Sequence, residues 1–179
     1  RFKAFVAEIA ESALAVAGEG DVTELVNEAN KAKLVEKIAT IGENMQIRRV
    51  VKWTSSDALD SYIHGGGRVG VLIDVAGEKD ADFLHSVCLH IAAFRPTFIC
   101  SACVPPAKIA SEREIAKAQL VGKPENMIEK IVDGKINKWY SEVCLVNQPW
   151  IGDDKTSIAK LKPNARIKNF VRWEVGEEL

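Results

Sequence analysis

The chain has 179 residues, 47% hydrophobic and 27% charged, enough to bury one sizeable core or two small ones. Its 24 basic and 25 acidic residues leave a formal net charge of -1, which argues against a duplex-binding protein that relies on a broad cationic surface. No apolar run approaches the roughly 20 residues that cross a bilayer, and Arg1-Phe2-Lys3 does not open a signal sequence, so a soluble, cytoplasmic protein is expected.

Phe2, Phe5, Val6, Ile9, Ala13 and Val16 follow helical spacing and predict a first amphipathic helix, stopped by Gly18 and Gly20. Asp21 with Glu24 makes a capping pair for a second helix, whose apolar positions are Leu25, Val26, Leu34, Val35 and Ile38, with a break expected near Asn30 and an end near Gly42. Then comes a phrase that occurs twice: Gln46-Ile47-Arg48-Arg49-Val50-Val51-Lys52-Trp53 and Arg166-Ile167-Lys168-Asn169-Phe170-Val171-Arg172-Trp173. Both copies read as strands, with Ile47, Val51 and Trp53 on one face and Ile167, Val171 and Trp173 on the corresponding one. Two related half-domains follow from that reading. A polar connection over Thr54 to Asp60 leads to the apolar strand 68–75, expected to pair antiparallel with the first copy.

Asp80 or Asp82 caps a helix carrying Phe83, Leu84, Val87, Ile91 and Phe94, closed by Pro96. Phe98-Ile99-Cys100 reads as an edge strand. Ser111 and Glu114 form a capping box for a helix that stops near Gly122, and Pro124 opens another with Ile128, Ile131, Val132 and Ile136. Residues 111–140 thus read as an antiparallel helical hairpin. Glu142 to Val146 is expected as a strand, a turn falls at Pro149, and a short helix near Ser157–Leu161 leads into the second copy. The sum is an α+β fold: two related subdomains, each a small antiparallel sheet packed by helices, plus the inserted hairpin.

The chemical motifs are weak by comparison. Cys88, Cys100, Cys103 and Cys144 sit among apolar neighbours in a chain that needs no staples, so reduced thiols are expected. Cys100-x-x-Cys103 lacks the second ligand pair of a structural zinc site and does not open a helix as redox motifs do. His64-Gly65-Gly66-Gly67 superficially matches an oxyanion-hole element, but there is no G-x-S-x-G nucleophile elbow. A phosphate-binding G-x-x-x-x-G-K-[ST] loop is also missing. The glycines fit a hairpin turn that needs unusual dihedrals. His85 and His90 read as packed or surface histidines, and Asp153-Asp154 and Glu177-Glu178 as solvated carboxylates. The remaining informative cluster is Ile41-Gly42-Glu43-Asn44, a tight turn between the helical unit and the first repeat copy. A strand pair would bring it to one edge with the Tyr62-His64-Gly65 turn.

Ile41-Gly42-Glu43-Asn44-Met45-Gln46-Ile47-Arg48-Arg49, followed by Tyr62-Ile63-His64-Gly65 and Arg68-Val69-Gly70-Val71-Leu72, resembles the bacterial elongation factor Ts family. Leu89-His90-Ile91-Ala92-Ala93, Gly122-Lys123-Pro124, residues 129–135, Gln148-Pro149-Trp150 and residues 170–176 fall in that family's order. The resemblance implies a guanine-nucleotide exchange factor that binds the GTPase elongation factor Tu and has no cofactor and no chemical catalysis of its own. Its organisation implies a leading helical part at 1–44, an N-subdomain sheet and helix at 45–106, the helical hairpin at 107–140 and a C-subdomain at 141–179. It also implies that Ile41, Gly42, Glu43, Asn44, Arg48, Tyr62, His64, Gly65 and Gly66 face the GTPase near its phosphate-binding loop. Family members carry an upstream helical domain and a Thr-Asp-Phe-Val-like motif, so a piece opening at Arg1 is expected to dock but to be impaired in exchange. The rival expectation is a structural module that homodimerises through the helical hairpin.

Overall fold

A computed structural model describes residues 2–120, 122 and 124–178, which leaves Lys123 of the Gly122-Lys123-Pro124 stretch outside the described residues. The chain divides into two compact units, Arg1–Ser56 and Asp57–Leu179.

In the first unit, α1 (Phe2–Ala15) buries Phe5, Ile9 and Ala13, a row of i, i+4 neighbours. After the two-residue strand β1 (Gly20–Asp21), α2 (Thr23–Ile41) continues the same logic with Val26 and Asn30, preceded by buried Val22. The helix is unbroken at Asn30. The buried amide donates to the Val26 carbonyl at 2.8 Å and to Ser12 Oγ at 2.7 Å, so a polar residue is accommodated inside the α1–α2 contact. The expected Asp21 and Glu24 capping pair does not form, because Val22 is the N-cap residue and no side chain caps it. Asp21 still reaches the helix start, where the Thr23 side chain and the Thr23 N–H, at 2.9 Å, hold its carboxyl below the ordinary range.

The first repeat copy is not the expected strand. Only β2 (Val51–Lys52) is extended in a ladder, and it pairs with β1, with Gly20 opposite Lys52. The residues before it are held to α2 instead. The Ile47 carbonyl accepts the Asn27 amide at 2.9 Å, and the Val50 carbonyl accepts the Val22 N–H at 3.0 Å. Carbonyls engaged this way are not available for a ladder. Ile47 and Val50 still pack on the Phe5, Ile9 and Val26 cluster, and Lys52 Nζ caps the end of α1 through the Leu14 and Val16 carbonyls at 2.9 and 2.8 Å.

The second unit is built on the three-stranded antiparallel sheet β3–β4–β5: β3 (Ala58–His64), β4 (Val69–Ala76) and β5 (Arg166–Glu174). Strand β4 therefore pairs with β3 and the second repeat copy, and not with the first copy as the sequence suggested. Strand β3 occupies residues expected partly as a polar connection. It is an edge strand, with Ser61 on its exposed face and Asp60 half-buried on the other, beside Tyr62.

The second copy forms its full strand, but its faces differ from the expected alternation. Val75 lies opposite Ile167 while Asp74 lies opposite Asn169, so Lys168 is an extra residue in a β-bulge. Beyond the bulge the inward side passes from odd to even positions. Ile167 and Phe170 join the core, whereas Val171 and Trp173 take the face of their partners Leu72 and Gly70.

Helix α3 (Ala81–Phe94) covers the Val69, Val71, Ile73 and Val75 side of β4 with Phe83, Leu84, Val87, Cys88 and Ile91. Asp80 caps it by accepting the Asp82 and Phe83 N–H groups at 3.1 and 3.4 Å. Phe98 makes only an isolated bridge to Cys144, in place of an edge strand.

Helix α4 (Pro106–Ala118) begins five residues before the expected capping box, because Pro106 suits the first helical turn and Ser111 lies inside it. It packs beside α5 (Glu125–Val143) through Ala116, Leu120, Val132 and Ile136, with Arg113 bridging to Asp133 at 2.7 Å and Glu129 at 2.8 Å. Helix α5 runs on through Glu142 and Val143, where a strand was expected, and ends in a 3-10 turn at Leu145–Asn147. Leu145, Trp150 and Ile158, the last from α6 (Ile158–Leu161), close the core of the unit. The architecture is α+β, with two small antiparallel sheets and six α-helices among the described residues.

Candidate docking surface

In the first unit, Ile41 is the last residue of α2 and is half-buried. Gly42 follows with φ 82° and donates its N–H to the Ile38 carbonyl at 2.8 Å, the left-handed helix stop that its sequence position predicted. A Cβ there would meet nothing within 4 Å, so the demand for glycine is conformational and not steric. Glu43, Asn44 and Arg48 are exposed beyond it.

In the second unit, the β3–β4 hairpin turns through Gly65, Gly66 and Gly67 at φ 59°, 69° and 107°. The Gly67 and Arg68 N–H groups both donate to the His64 carbonyl, at 3.2 and 3.0 Å, and close the turn. Two consecutive positive dihedrals are what a hairpin turn of this hand demands, and no Cβ guards the backbone at its tip.

Tyr62 and His64 point to the same face of β3, two residues apart. Tyr62 Oη lies 2.9 Å from His64 Nδ1, and the rings are 5.8 Å apart. With the phenol donating, His64 Nδ1 is occupied as acceptor and its Nε2–H is left as the ring's donor on an exposed residue. His85 of α3 meets the edge of Tyr62 at 5.4 Å and 87°, and its Nδ1 lies 3.8 Å from Asp60 Oδ2. Tyr62 is thus held between two imidazoles. His85 and Asp60 escaped the sequence reading because their proximity depends on the register of β3 under α3. No local motif signals it.

The structure therefore brings Tyr62 and His64 together at the glycine turn of the second unit, while Ile41, Gly42, Glu43 and Asn44 follow one another at the end of α2 in the first, with Arg48 farther along. Among the described residues no group of three or more His, Cys, Asp or Glu is placed to hold a metal ion. No helix among them is long and apolar enough to cross a membrane.

His90, the other histidine of α3, is part of the core. It is fully buried, its Nε2 lies 2.9 Å from Gln148 Oε1, and its ring stacks on Phe94 at 4.6 Å and on Trp150 at 5.3 Å. Gln148 in turn donates to the Glu142 carbonyl at 2.7 Å and the Phe94 carbonyl at 3.2 Å. This network fastens α3 to the end of α5 behind the sheet.

Residues 1–177 match the family model described as Elongation factor TS. The chain is 39% identical to elongation factor Ts of Moorella thermoacetica, over 90% of this chain and 89% of that protein. It is 42% identical to elongation factor Ts of Clostridium perfringens over 80% of this chain, and 40% identical to that of Clostridium botulinum over 87%. The match spans nearly all of the Moorella relative but only 52% and 58% of the two clostridial ones. Fold and sequence together define an α+β translation elongation factor. The chain belongs to the elongation factor Ts family.

Proposed function

We propose that this chain is a guanine-nucleotide exchange factor that docks on the GTPase elongation factor Tu and promotes GDP release. The observation that supports this reading most directly is the glycine-rich β3–β4 turn with His64 held by Tyr62, in a chain of this family. An exchange factor performs no bond chemistry. It binds the nucleotide-free conformation of its GTPase more tightly than the nucleotide-bound one, and by linkage bound GDP weakens the factor by the same factor.

The geometry suits such work. A turn with three glycines lets backbone approach a partner loop closely, and a positioned His64 Nε2–H offers a directional donor there. Ile41 is the apolar contact of the other tip, and Gly42 orients the chain leaving it. Glu43, Asn44 and Arg48 are polar supports.

Capture by nucleotide-free elongation factor Tu, repeated with excess GDP, tests the proposal, and release of a fluorescent GDP reads exchange separately from docking. His64→Ala and Ile41→Ala should each weaken capture, the first without lowering the melting temperature. Capture that ignores GDP, or that survives the double variant unchanged, would refute it. The competing reading, self-association through α4 and α5, has the exposed Ile115 and Met127 in its favour. Light scattering separates the two, since a docking variant should leave the oligomer size unchanged.

A further inference from the structure

Cys100 and Cys103 form a motif that docking on a GTPase leaves without a role. The Cys103 N–H donates to the Cys100 carbonyl at 3.0 Å across the 3-10 turn Ser101–Cys103. A turn closed from i to i+3 keeps its end Cα atoms within about 7 Å, close to the span a disulfide bridges. The side chains meet as well: both thiols are free, and their Sγ atoms lie 2.6 Å apart. The Cys103 thiol is pushed up from its ordinary value by its bond to the Cys100 sulfur, so Cys103 holds its proton. Cys103 is exposed and Cys100 half-buried, which leaves the pair open to a small reagent.

Both ends of this turn are fixed. On one side the Leu145 and Val146 N–H groups donate to the Phe98 and Ile99 carbonyls at 2.9 and 3.1 Å, and on the other buried Val104 leads into α4. The other two thiols stand in contrast. Cys88 and Cys144 are buried, and burial pushes them up to about 12 and about 11, so they stay protonated and inert.

We propose that Cys100 and Cys103 form a thiol–disulfide exchange site whose co-reactant is a low-molecular-weight disulfide of the glutathione type. The thiolate of one cysteine attacks a sulfur of the external disulfide, forms a mixed disulfide and expels one external thiolate. The second cysteine, giving up its proton to solvent, then attacks the protein sulfur of that mixed disulfide and expels the other external thiolate. The two departing thiolates take up the two protons. Two protein thiols are oxidised to one disulfide, and one external disulfide is reduced to two thiols. The second step is favoured because its sulfurs are already adjacent, giving a high effective concentration. The product would lock the segment that joins α3 to α4.

The test equilibrates the folded chain, residues 1–179, with reduced and oxidised glutathione in graded ratios, followed by acid quench, alkylation and peptide mass spectrometry. The expected result is loss of two alkylatable thiols from the peptide holding Cys100 and Cys103, with no bound glutathione, reversed by the reduced form. Cys100→Ser and Cys103→Ser should each trap glutathione on the remaining sulfur. Cys88 and Cys144 should resist alkylation until the chain is unfolded. Both thiols remaining alkylatable at the oxidising end, or glutathione adducts persisting on the unsubstituted chain, would overturn the proposal. So would oxidation of Cys88 or Cys144 to the same extent. The unsubstituted chain alone decides these points even if a serine variant folds poorly.

Discussion

His90 should make the stability of the second unit depend on pH in a defined direction. Its Nδ1 accepts the Ile151 N–H at 3.3 Å, so the single ring proton resides on Nε2 and serves Gln148 Oε1. A second proton would place a donor on Nδ1 facing another donor, inside a stack between Phe94 and Trp150. Burial accordingly lowers the His90 pKa, and the bond to Gln148 offsets only part of that shift.

In the unfolded chain the imidazole titrates near about 6.5. Between that value and the lower folded one the unfolded state binds more protons, so stability rises with pH. The contribution is complete above the unfolded value and is lost as pH falls toward the folded one, with a slope that cannot exceed about 1.4 kcal/mol per pH unit for one proton. Carboxylates act at lower pH: Glu78, hydrogen-bonded to Lys162, is held at about 2, and Glu129 and Glu174 are also lowered by their basic partners.

Urea unfolding followed by tryptophan fluorescence at several pH values between about 7.5 and 5.5, the range around the free imidazole value, should show the midpoint falling on acidification. In His90→Phe that dependence should disappear. The variant should also be less stable at neutral pH, by about 1–3 kcal/mol for each of the two polar groups left without a partner, Gln148 Oε1 and the Ile151 N–H. A midpoint that is flat or rises on acidification in the native chain, or an unchanged slope in His90→Phe, would refute the reasoning.

Further outcomes are expected for four variants. Gly77→Ala should cost more than about 2 kcal/mol, because its Cβ would sit 2.2 Å from the Asn164 carbonyl oxygen at φ 78°. Gly66→Ala, at φ 69° in open space, should cost only about 1–2 kcal/mol, and thermal melts would rank the pair. Asn30→Ala should loosen the α1–α2 contact by about 1–3 kcal/mol, read as faster amide hydrogen exchange confined to residues 1–56. On the proposed docking role, Tyr62→Phe should weaken binding to elongation factor Tu by about 2- to 10-fold, the worth of one hydrogen bond, at unchanged melting temperature. Equal affinity would remove Tyr62 as the group that orients His64.

The helices were legible where hydrophobic periodicity coincided with punctuation. Phe5, Ile9 and Ala13 before Gly18, and Asp80 ahead of Phe83 and Leu84, each combine a buried row with a start or stop signal. Strand partners were less legible, because a ladder is made by distant chain. The Ile47 carbonyl is taken by an asparagine amide 20 residues away, and no local pattern reports that. The glycine turn of the candidate site was visible because φ above zero selects glycine. The Tyr62–His64 pair was visible only as two polar aromatic residues two apart, since Asp57, Asp60 and Ser61 disguised their strand. His85 required the tertiary packing of α3 on β3.

The bulge at Lys168 acts on β5 as a change of reading frame acts on a message. Upstream of it the odd positions face α3; downstream the even ones do, so Arg172 donates to the Ala92 carbonyl at 3.2 Å and Glu174 meets Arg95 at 3.0 Å. Without the bulge Lys168 would pair with Asp74 and every side chain from Asn169 onward would exchange faces, presenting Val171 and Trp173 to α3 and turning its two charged anchors away, whereas deleting Lys168 itself would leave each of them opposite its present partner. The one extra residue therefore sets the phase of the strand beyond it, and the two similar octapeptides can share letters while obeying different phases.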